Sequence, residues 1–155
     1  MNLYAGIRYH TTVTSKDGIV TCGGRNENGP QPWCTLGYSN FFPSMEDSRL
    51  SFGMAMVNDE LYAIGGRFSL DTWEWINVTK IDGQYQSWKK ETLPFTIWQH
   101  CVVGLKSQLM VIGGSTHNDV NDPSRVRRCY AFRIKVMKKY RYSIALYNLK
   151  SVSYN

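Results

Sequence analysis

Few residues in the sequence have types and spacing that could support catalysis, and His100 with its neighbour Cys101 is the first pair to test. An imidazole base within reach of a thiol would make a cysteine nucleophile. The pair lies in a strand-like apolar run, however, and adjacent side chains of a strand point to opposite faces of its sheet. Since the sequence also lacks the Gly-x-Ser-x-Gly, phosphate-loop and dinucleotide-binding motifs, we predict no catalytic residues and no enzymatic activity.

The loop 115–124 contains His117, Asp119, Asn121 and Asp122, residue types that occur in calcium loops. The glycine and the terminal glutamate that a calcium loop needs are missing. The cysteines lack the C-x-x-C spacing of a zinc site. The sequence therefore predicts neither a metal site nor a cofactor, and we expect a solvated loop here.

Four cysteines, Cys22, Cys34, Cys101 and Cys129, allow three disulfide pairings. Cys22 ends a predicted second strand, and Cys34 lies ten residues after Gly24, where a third strand is expected to begin. The two could face each other across neighbouring strands, as a disulfide requires. They could equally be separate thiols in a reducing compartment, so the sequence leaves the redox state of all four cysteines open.

Three features bear on the cellular compartment. Residues 1–12 lack the charged region and apolar core of a signal peptide, and no run of about 18 apolar residues predicts a membrane span. The triplet Asn77-Val78-Thr79 is a glycosylation sequon, but it falls inside a strand pattern, which favours a chance match. We expect a cytoplasmic protein without a membrane partner, and an extracellular location is the alternative if the cysteines are paired.

Positive charge is concentrated at the C-terminal end. Residues 123–155 carry nine of the eighteen Lys and Arg residues and none of the twelve Asp and Glu residues. Such a block can bind nucleic acid or acidic lipid. The run "FRIKV" alternates with a period of two, which favours an edge or outer strand with its charges turned outward, so nucleic acid is not our expected partner.

Three segments of 15 residues align without a gap and end in a glycine doublet. They are 10–24, 52–66 and 100–114, and their doublets are separated by 42 and 48 residues. Each segment has the pattern of a β-hairpin, with two apolar runs around a polar turn at 16–18, 58–60 or 106–108. Repeats of about 40 to 50 residues are typical of propellers.

The doublets have a physical explanation in such an array. "LYAI" and "LMVI" are nearly continuous apolar runs, as expected for strands buried on both faces. A strand that leaves a crowded core needs close backbone approach and unusual dihedral angles, which glycine permits. More strand-like sequence follows each doublet, and no segment has the pattern of an amphipathic helix, so each unit is predicted to be a four-stranded antiparallel sheet.

These residues resemble the kelch repeat. The middle unit matches best, with Gly65-Gly66, Glu74-Trp75, Trp88 and Leu93-Pro94; the first keeps Gly23-Gly24, Met45 and Arg49, and the third keeps Gly113-Gly114 but no tryptophan. The resemblance implies an all-β fold, an incomplete kelch-type β-propeller of about three four-stranded antiparallel blades. The residues with an implied structural role are Gly23, Gly24, Gly65, Gly66, Trp88, Gly113 and Gly114.

The expected organisation is one array and a short end segment. Residues 1–136 hold three kelch-type repeats, at about 1–45, 46–95 and 96–136, and residues 137–155 form a basic tail or an irregular last strand. Propellers close with about four to eight blades, so other blades or other chains are needed to complete the ring. The chain is then a piece of a longer protein, the product of a truncated gene, or one member of an assembly.

The resemblance also implies a function, because kelch propellers commonly bind proteins through one rim. That rim is built from the loops after the doublets and from the links between blades, and the matching positions are Arg8, Arg25, Arg49, Arg67, Trp98, Ser115 and His117. Arginines there could hold carboxylates of an acidic partner peptide by forked hydrogen bonds. The alternative for Arg8 and Arg49 is that they only brace neighbouring blades.

We therefore expect a protein–protein interaction module, used as a substrate adaptor or with the cytoskeleton. The alternative is a fragment of a secreted or surface kelch-type protein with paired cysteines. A kelch-type copper oxidase is the least favoured reading of the resemblance, because no cluster of metal ligands is apparent in the sequence.

Overall fold

The computed structural model describes residues 6–37, 40–115, 130–135 and 143–148. Within these ranges the protein is built from strands and turns, without a helix. The strands in chain order are β1 (Thr11–Ser15), β2 (Gly18–Cys22), β3 (Arg25–Asn26), β4 (Gly29–Pro30), β5 (Cys34–Leu36), β6 (Asn40–Phe42), β7 (Gly53–Val57), β8 (Glu60–Ile64), β9 (Thr72–Asn77), β10 (Lys89–Thr92), β11 (Trp98–Leu105), β12 (Gln108–Ser115), β13 (Tyr130–Lys135) and β14 (Ser143–Asn148).

These strands form three four-stranded antiparallel sheets in the orders β1-β2-β5-β6, β7-β8-β9-β10 and β11-β12-β13-β14. We call them sheets 1, 2 and 3; β3 and β4 form a separate two-stranded ribbon. Strand β7, the first of sheet 2, packs between β1 and β11, the first strands of the other sheets. The predicted all-β architecture of four-stranded antiparallel sheets is confirmed.

The first three strands of sheet 2 are buried on both faces, which accounts for their continuous apolar runs. One face of β7 and β8 contributes Met54, Leu61 and Ala63 to a core shared with sheet 1. The other face contributes Ala55, Tyr62 and Ile64 to a core shared with sheet 3. Because successive strand residues alternate between faces, one strand can serve two cores only if nearly all its residues are apolar.

The three doublets have the same backbone conformation. The φ angles are 65° and 94° at Gly23-Gly24, 59° and 98° at Gly65-Gly66, and 72° and 92° at Gly113-Gly114. A Cβ atom on Gly23 would lie 2.7 Å from the Arg49 carbonyl oxygen, and one on Gly65 would overlap the Ile97 carbonyl. Left-handed dihedral angles and close approach by the next sheet therefore both require glycine at the first two exits.

A short link leads into the first strand of each sheet, and in sheet 3 the end of this link forms the start of β11. The three links repeat one geometry. Tyr9, Ser51 and Gln99 occupy the same link position and have φ angles of 63°, 50° and 55°. The Ser51 N–H donates to the Tyr9 carbonyl at 3.2 Å, and the Gln99 N–H donates to the Ser51 carbonyl at 2.8 Å. Main-chain hydrogen bonds thus connect the three links in series.

We call the junctions between sheets 1 and 2 and between sheets 2 and 3 filled, because a following sheet packs against the doublet there. Each filled junction has a second main-chain hydrogen bond. The Gly24 N–H donates to the Arg49 carbonyl at 2.9 Å, and the Gly66 N–H donates to the Ile97 carbonyl at 2.9 Å. The second glycine of a doublet is therefore bonded to the link of the following sheet. This contact explains why the doublets, the links and the sheet spacing recur together.

Sheet 3 differs from the sequence expectation in one respect. The run in β13 pairs with β12 on one side and with β14 on the other, so it is an interior strand of the sheet rather than an edge. Its fourth strand, Ser143–Asn148, comes from the segment for which the sequence left a basic tail or a last strand open. His117 and Cys129 lie outside the described residues.

Candidate partner-binding rim

The residue after each doublet pairs with a link residue, which brings these positions to one end of the sheets. Arg8 and Arg25 exchange two backbone hydrogen bonds, of 3.1 and 2.8 Å. Arg67 pairs in the same way with Leu50, and Ser115 lies opposite Trp98 in the register of sheet 3. We call Arg8, Arg25, Arg67, Trp98 and Ser115 the link rim; the hairpin turns of the three sheets lie at the opposite end.

The link rim presents positive charge and one aromatic ring. Arg8, Arg25 and Arg67 are exposed, while Trp98 and Ser115 are half-buried. The Arg67 guanidinium carbon lies 5.2 Å from the centroid of the Trp98 ring, a cation–π contact that joins the rims of sheets 2 and 3. This contact holds the Arg67 guanidinium in place, while the backbone pairing fixes the main chain of Arg8 and Arg25.

Arg49 does not belong to this surface, and the expectation that it binds a partner is wrong. Its side chain is fully buried and forms an ion pair of 2.8 Å with the equally buried Glu74. It also donates to the carbonyls of Gly65 at 2.8 Å and Thr72 at 2.9 Å. The link residue that pairs with Arg67, the residue after the doublet, is Leu50, the neighbour of Arg49. The position of Arg49 fits the alternative expectation, in which this arginine braces neighbouring blades.

Glu74 connects Arg49 to the chain that leads out of sheet 1. Its carboxylate accepts backbone hydrogen bonds from Glu46 at 2.6 Å and Asp47 at 3.1 Å. Burial lowers the pKa of the Arg49 guanidinium from its ordinary value, and the charge and hydrogen bonds of Glu74 oppose that shift. The acidic residue of the sequence motif is therefore the counter-ion of the link arginine.

His100 directly follows the link residue Gln99 and is buried against sheet 2. Within the described part of the chain neither ring nitrogen has a hydrogen-bond partner. Burial lowers the pKa of His100 to about 4, and the Ile64 backbone opposes this shift, so the ring is neutral at pH 7. His10, at the same position of the first link, is exposed, and Phe52 fills that position in the second link.

The three cysteines that the structure describes divide into a bonded pair and an exposed thiol. Cys22 and Cys34 are register partners of β2 and β5 and form a disulfide. Cys101 is a free, exposed thiol, on the face of β11 opposite to the buried His100. The side chains of His100 and Cys101 therefore point apart, as the strand pattern predicts.

The tryptophan singled out in the sequence lies in the core between sheets 1 and 2. Trp88 is buried, and its indole N–H donates to the Pro43 carbonyl at 2.8 Å. Its ring makes an edge contact with Phe42. Trp88 thus fixes the chain that leaves sheet 1 against the far end of sheet 2.

Two exposed aromatic residues beside the rim were missed from the sequence. Tyr9 follows Arg8 and is 58% exposed, and Phe68 follows Arg67 and is 69% exposed. An aromatic residue next to an arginine in an otherwise polar loop was the available signal, since large exposed apolar side chains often mark contact surfaces. Both extend the link rim with rings that a partner could cover.

No group of three or more His, Cys, Asp and Glu side chains among the described residues is placed to hold a metal ion. None of their segments is a helix of the length and apolarity that crossing a membrane takes.

Comparisons with known proteins agree on the fold. The sequence is similar to Kelch-like protein 40a of Danio rerio, at 27% identity over 124 residues that cover 68% of this chain and 19% of that protein. The structure is similar to that of YjhT, with a TM-score of 0.61 and 13% identity, over 92% of this chain and 46% of that one. No family model matches the sequence. The chain spans about a fifth of the curated relative and just under half of the structural one, and its fold is of the kelch or propeller type, as an incomplete propeller.

Proposed function

We propose that the protein is a non-enzymatic interaction module whose link rim binds an acidic segment of a partner protein. The observation that carries the proposal is the placement of three exposed arginines, Arg8, Arg25 and Arg67, at one end of neighbouring sheets. Similarity to a kelch-like protein supports this class of function. Use as a substrate adaptor or beside the cytoskeleton would be two forms of the same binding.

The chemistry of the rim suits the binding of carboxylates. Guanidinium groups bind carboxylates through paired, charge-assisted hydrogen bonds. Tyr9, Phe68 and Trp98 add apolar area next to the charges, and aromatic residues with arginine are the types that dominate protein interfaces. An extended acidic peptide with apolar residues between its carboxylates fits this combination.

A labelled octaglutamate peptide is a direct probe, with octaglutamine as the uncharged reference. We expect the protein to bind the acidic peptide in a fluorescence-anisotropy titration and to bind the reference much more weakly. Arg25→Glu with Arg67→Glu removes two charge-assisted contacts, each of about 1.5–3 kcal/mol, so the affinity should fall at least about tenfold.

Lys16→Glu with Lys106→Glu is the matched control, because it makes the same change in net charge at the hairpin turns of sheets 1 and 3. These turns lie at the opposite end of the sheets from the link rim. Equal losses in both double variants would mean that only net charge matters, and unchanged binding in the Arg25/Arg67 variant would reject the rim as the binding surface.

A second candidate is a secreted or surface protein, and the Cys22–Cys34 disulfide favours it. Disulfides persist in oxidising compartments and are rare in the cytosol. The sequon also lies where an enzyme could reach it, because Asn77 is the exposed last residue of β9. Both observations support an extracellular location over the cytoplasmic one expected from the sequence.

Expression through a eukaryotic secretory pathway tests this candidate. We expect a mass decrease on treatment with an N-glycosidase, no decrease for Asn77→Gln, and a thiol count that reports the Cys22–Cys34 bond without added oxidant. An unglycosylated product with both thiols free would reject it and leave the rim proposal untouched.

A further inference from the structure

The first two strands of sheet 3, β11 and β12, form an apolar face that no described residue covers, and we call it the apolar face of sheet 3. The face turned away from sheet 2 carries Val103, Leu105 and Ile112, which are 42%, 47% and 37% exposed. The aligned positions of sheet 2 are Ala55, Val57 and Ile64, all buried against sheet 3. Sheet 3 thus repeats the side-chain pattern of a sheet that is followed by another sheet. An apolar surface of this kind indicates an interaction site.

The third doublet also has the backbone geometry of an exit against which another sheet packs. A Cβ atom on Gly23 or Gly65 would collide with the carbonyl of the following link, whereas one on Gly113 would meet no atom of the described residues within 4 Å. Gly113 and Gly114 still have the left-handed angles of the filled junctions. The exit of sheet 3 is therefore shaped to receive a link carbonyl at the Gly114 N–H and a first strand against its apolar face.

The opposite end of the chain offers those two elements. Ile7 aligns with Arg49 and Ile97, whose carbonyls accept the hydrogen bonds from Gly24 and Gly66. Strand β1 follows this link, and Thr12, Thr14 and Ile19 are exposed on the face of sheet 1 that is turned away from sheet 2.

The threonines on this face are suited to an apolar contact. The hydroxyl groups of Thr12 and Thr21 lie 3.2 Å apart across β1 and β2 and bond to each other. One hydroxyl group thus donates to the other within sheet 1, which leaves fewer unpaired polar groups on the face that a partner would cover. Covering these threonines costs less than burying unpaired hydroxyls would.

We propose that two copies of this chain associate head to tail, with the apolar face of sheet 3 of each copy packed against the threonine face of sheet 1 of the other. The Gly114 N–H of one copy then donates to the Ile7 carbonyl of its partner. Two identical contacts of this kind close a ring under twofold symmetry. The chain covers 46% of the propeller-like chain on which it superposes, so two copies approach the length of that structure.

Light scattering coupled to size exclusion, over a dilution series of the 155-residue chain, measures the association. We expect twice the chain mass at high concentration. Val103→Glu on sheet 3 and Ile19→Glu on sheet 1 should each lower the association constant at least about tenfold, since both place a charge in an apolar contact. Both sites are exposed, so the variants should keep the circular dichroism spectrum of the parent. Ile81→Glu, at an exposed apolar residue elsewhere, is the matched control and should not change the mass.

A mixture of the two variants distinguishes the head-to-tail arrangement from a face-to-face dimer of sheet 3. One contact of the mixed dimer then contains both glutamates, while the other contains neither. We expect the mixture to recover dimer relative to either variant alone. A chain that is monomeric at every concentration would overturn the proposal, and so would a dimer that Val103→Glu disrupts and Ile19→Glu leaves intact.

Discussion

Single residues set the joint between sheets 1 and 2, and the Arg49–Glu74 pair is the centre of it. Both side chains are fully buried and lie 2.8 Å apart. The guanidinium also bonds to main-chain carbonyls of sheet 2 and of the loop before β9. Removing one partner of a buried pair destabilises the fold, because the other charge is then buried without a counter-ion.

Replacement of Arg49 by methionine should therefore destabilise the protein strongly. It strands the Glu74 carboxylate, and we expect the free energy of unfolding in urea to fall by about 3–5 kcal/mol. Adding Glu74→Gln should recover part of the loss, because it removes the stranded charge but keeps an acceptor for the Glu46 and Asp47 N–H groups. Lys90→Met, which removes the exposed pair with Asp47, should cost less than about 1 kcal/mol. Equal losses for the single and double Arg49 variants would contradict this account.

His100 should make the stability depend on pH. Its pKa is about 4 in the folded protein and 6.5 without burial, so between these values the unfolded chain binds more protons. Stability is then complete above about pH 6.5 and falls as the pH drops, by up to about 3 kcal/mol near pH 4. His100→Phe copies the residue found at this position in the second link and should remove this part of the slope, measured by urea unfolding at several pH values. His10→Phe is the matched control, and a wild-type slope in His100→Phe would contradict the assignment.

At the scale of elements, the strand exits are the most constrained features of the sheets. Gly65 combines a φ of 59° with contact to the Ile97 carbonyl. Gly113 has a φ of 72° and Gly83, in a loop, has a φ of 77°, and a Cβ atom on either would contact none of the residues that the structure describes. These three glycines separate the effect of the dihedral angle from the effect of close packing.

Substitution by alanine should rank these glycines. Gly83→Ala measures the cost of a positive φ alone, about 1–2 kcal/mol. Gly65→Ala should cost at least about 1–3 kcal/mol more, because its Cβ is forced against backbone. Gly113→Ala should match Gly83→Ala when thermal unfolding is measured at concentrations where the chain is monomeric. A Gly113 loss as large as that of Gly65 would mean that another part of the chain already fills the third exit.

The disulfide ties β2 to β5 inside sheet 1. Its cysteines are separated by 12 residues, and closing a loop of this size restricts the unfolded chain. Cys22→Ala with Cys34→Ala should lower the free energy of unfolding by about 2–4 kcal/mol. Dithiothreitol should lower the urea midpoint of the parent and not that of the double variant, and Cys101→Ala should behave as the parent. A parent midpoint that is insensitive to reductant would argue against the bond.

The elements that could be predicted from the sequence are those with local signatures. Positive φ angles select glycine at the exits, and burial on both faces selects unbroken apolar runs such as "LYAI", so the first two strands of each sheet and their junctions were recognisable. The burial of Arg49 was not, because it depends on a counter-ion 25 residues away in sequence. The pairing of Cys22 with Cys34 needed the register of β2 and β5, which the sequence only suggested.

At the scale of the whole molecule, the two proposed surfaces differ in their physical basis, and salt should separate them. The link rim acts through exposed charges, whose interactions are screened over about 10 Å at 0.1 M salt and about 3 Å at 1 M. We expect octaglutamate binding to weaken markedly over this range in an anisotropy titration. The apolar contact between copies should hold or strengthen, as seen by light scattering in the same buffers. If salt changed peptide binding and association between copies in the same direction, the two would share one physical basis.

The serial hydrogen bonds through Tyr9, Ser51 and Gln99 have a consequence for how such a protein can change over time. They run from amide to carbonyl, so proline is excluded at the second and third positions. The positive φ angles at all three positions disfavour β-branched residues but admit many other side chains. The joint between neighbouring sheets thus places few demands on the identity of the side chains that project beside it. A lineage could exchange those side chains for ones that suit a new target while the ring keeps its shape.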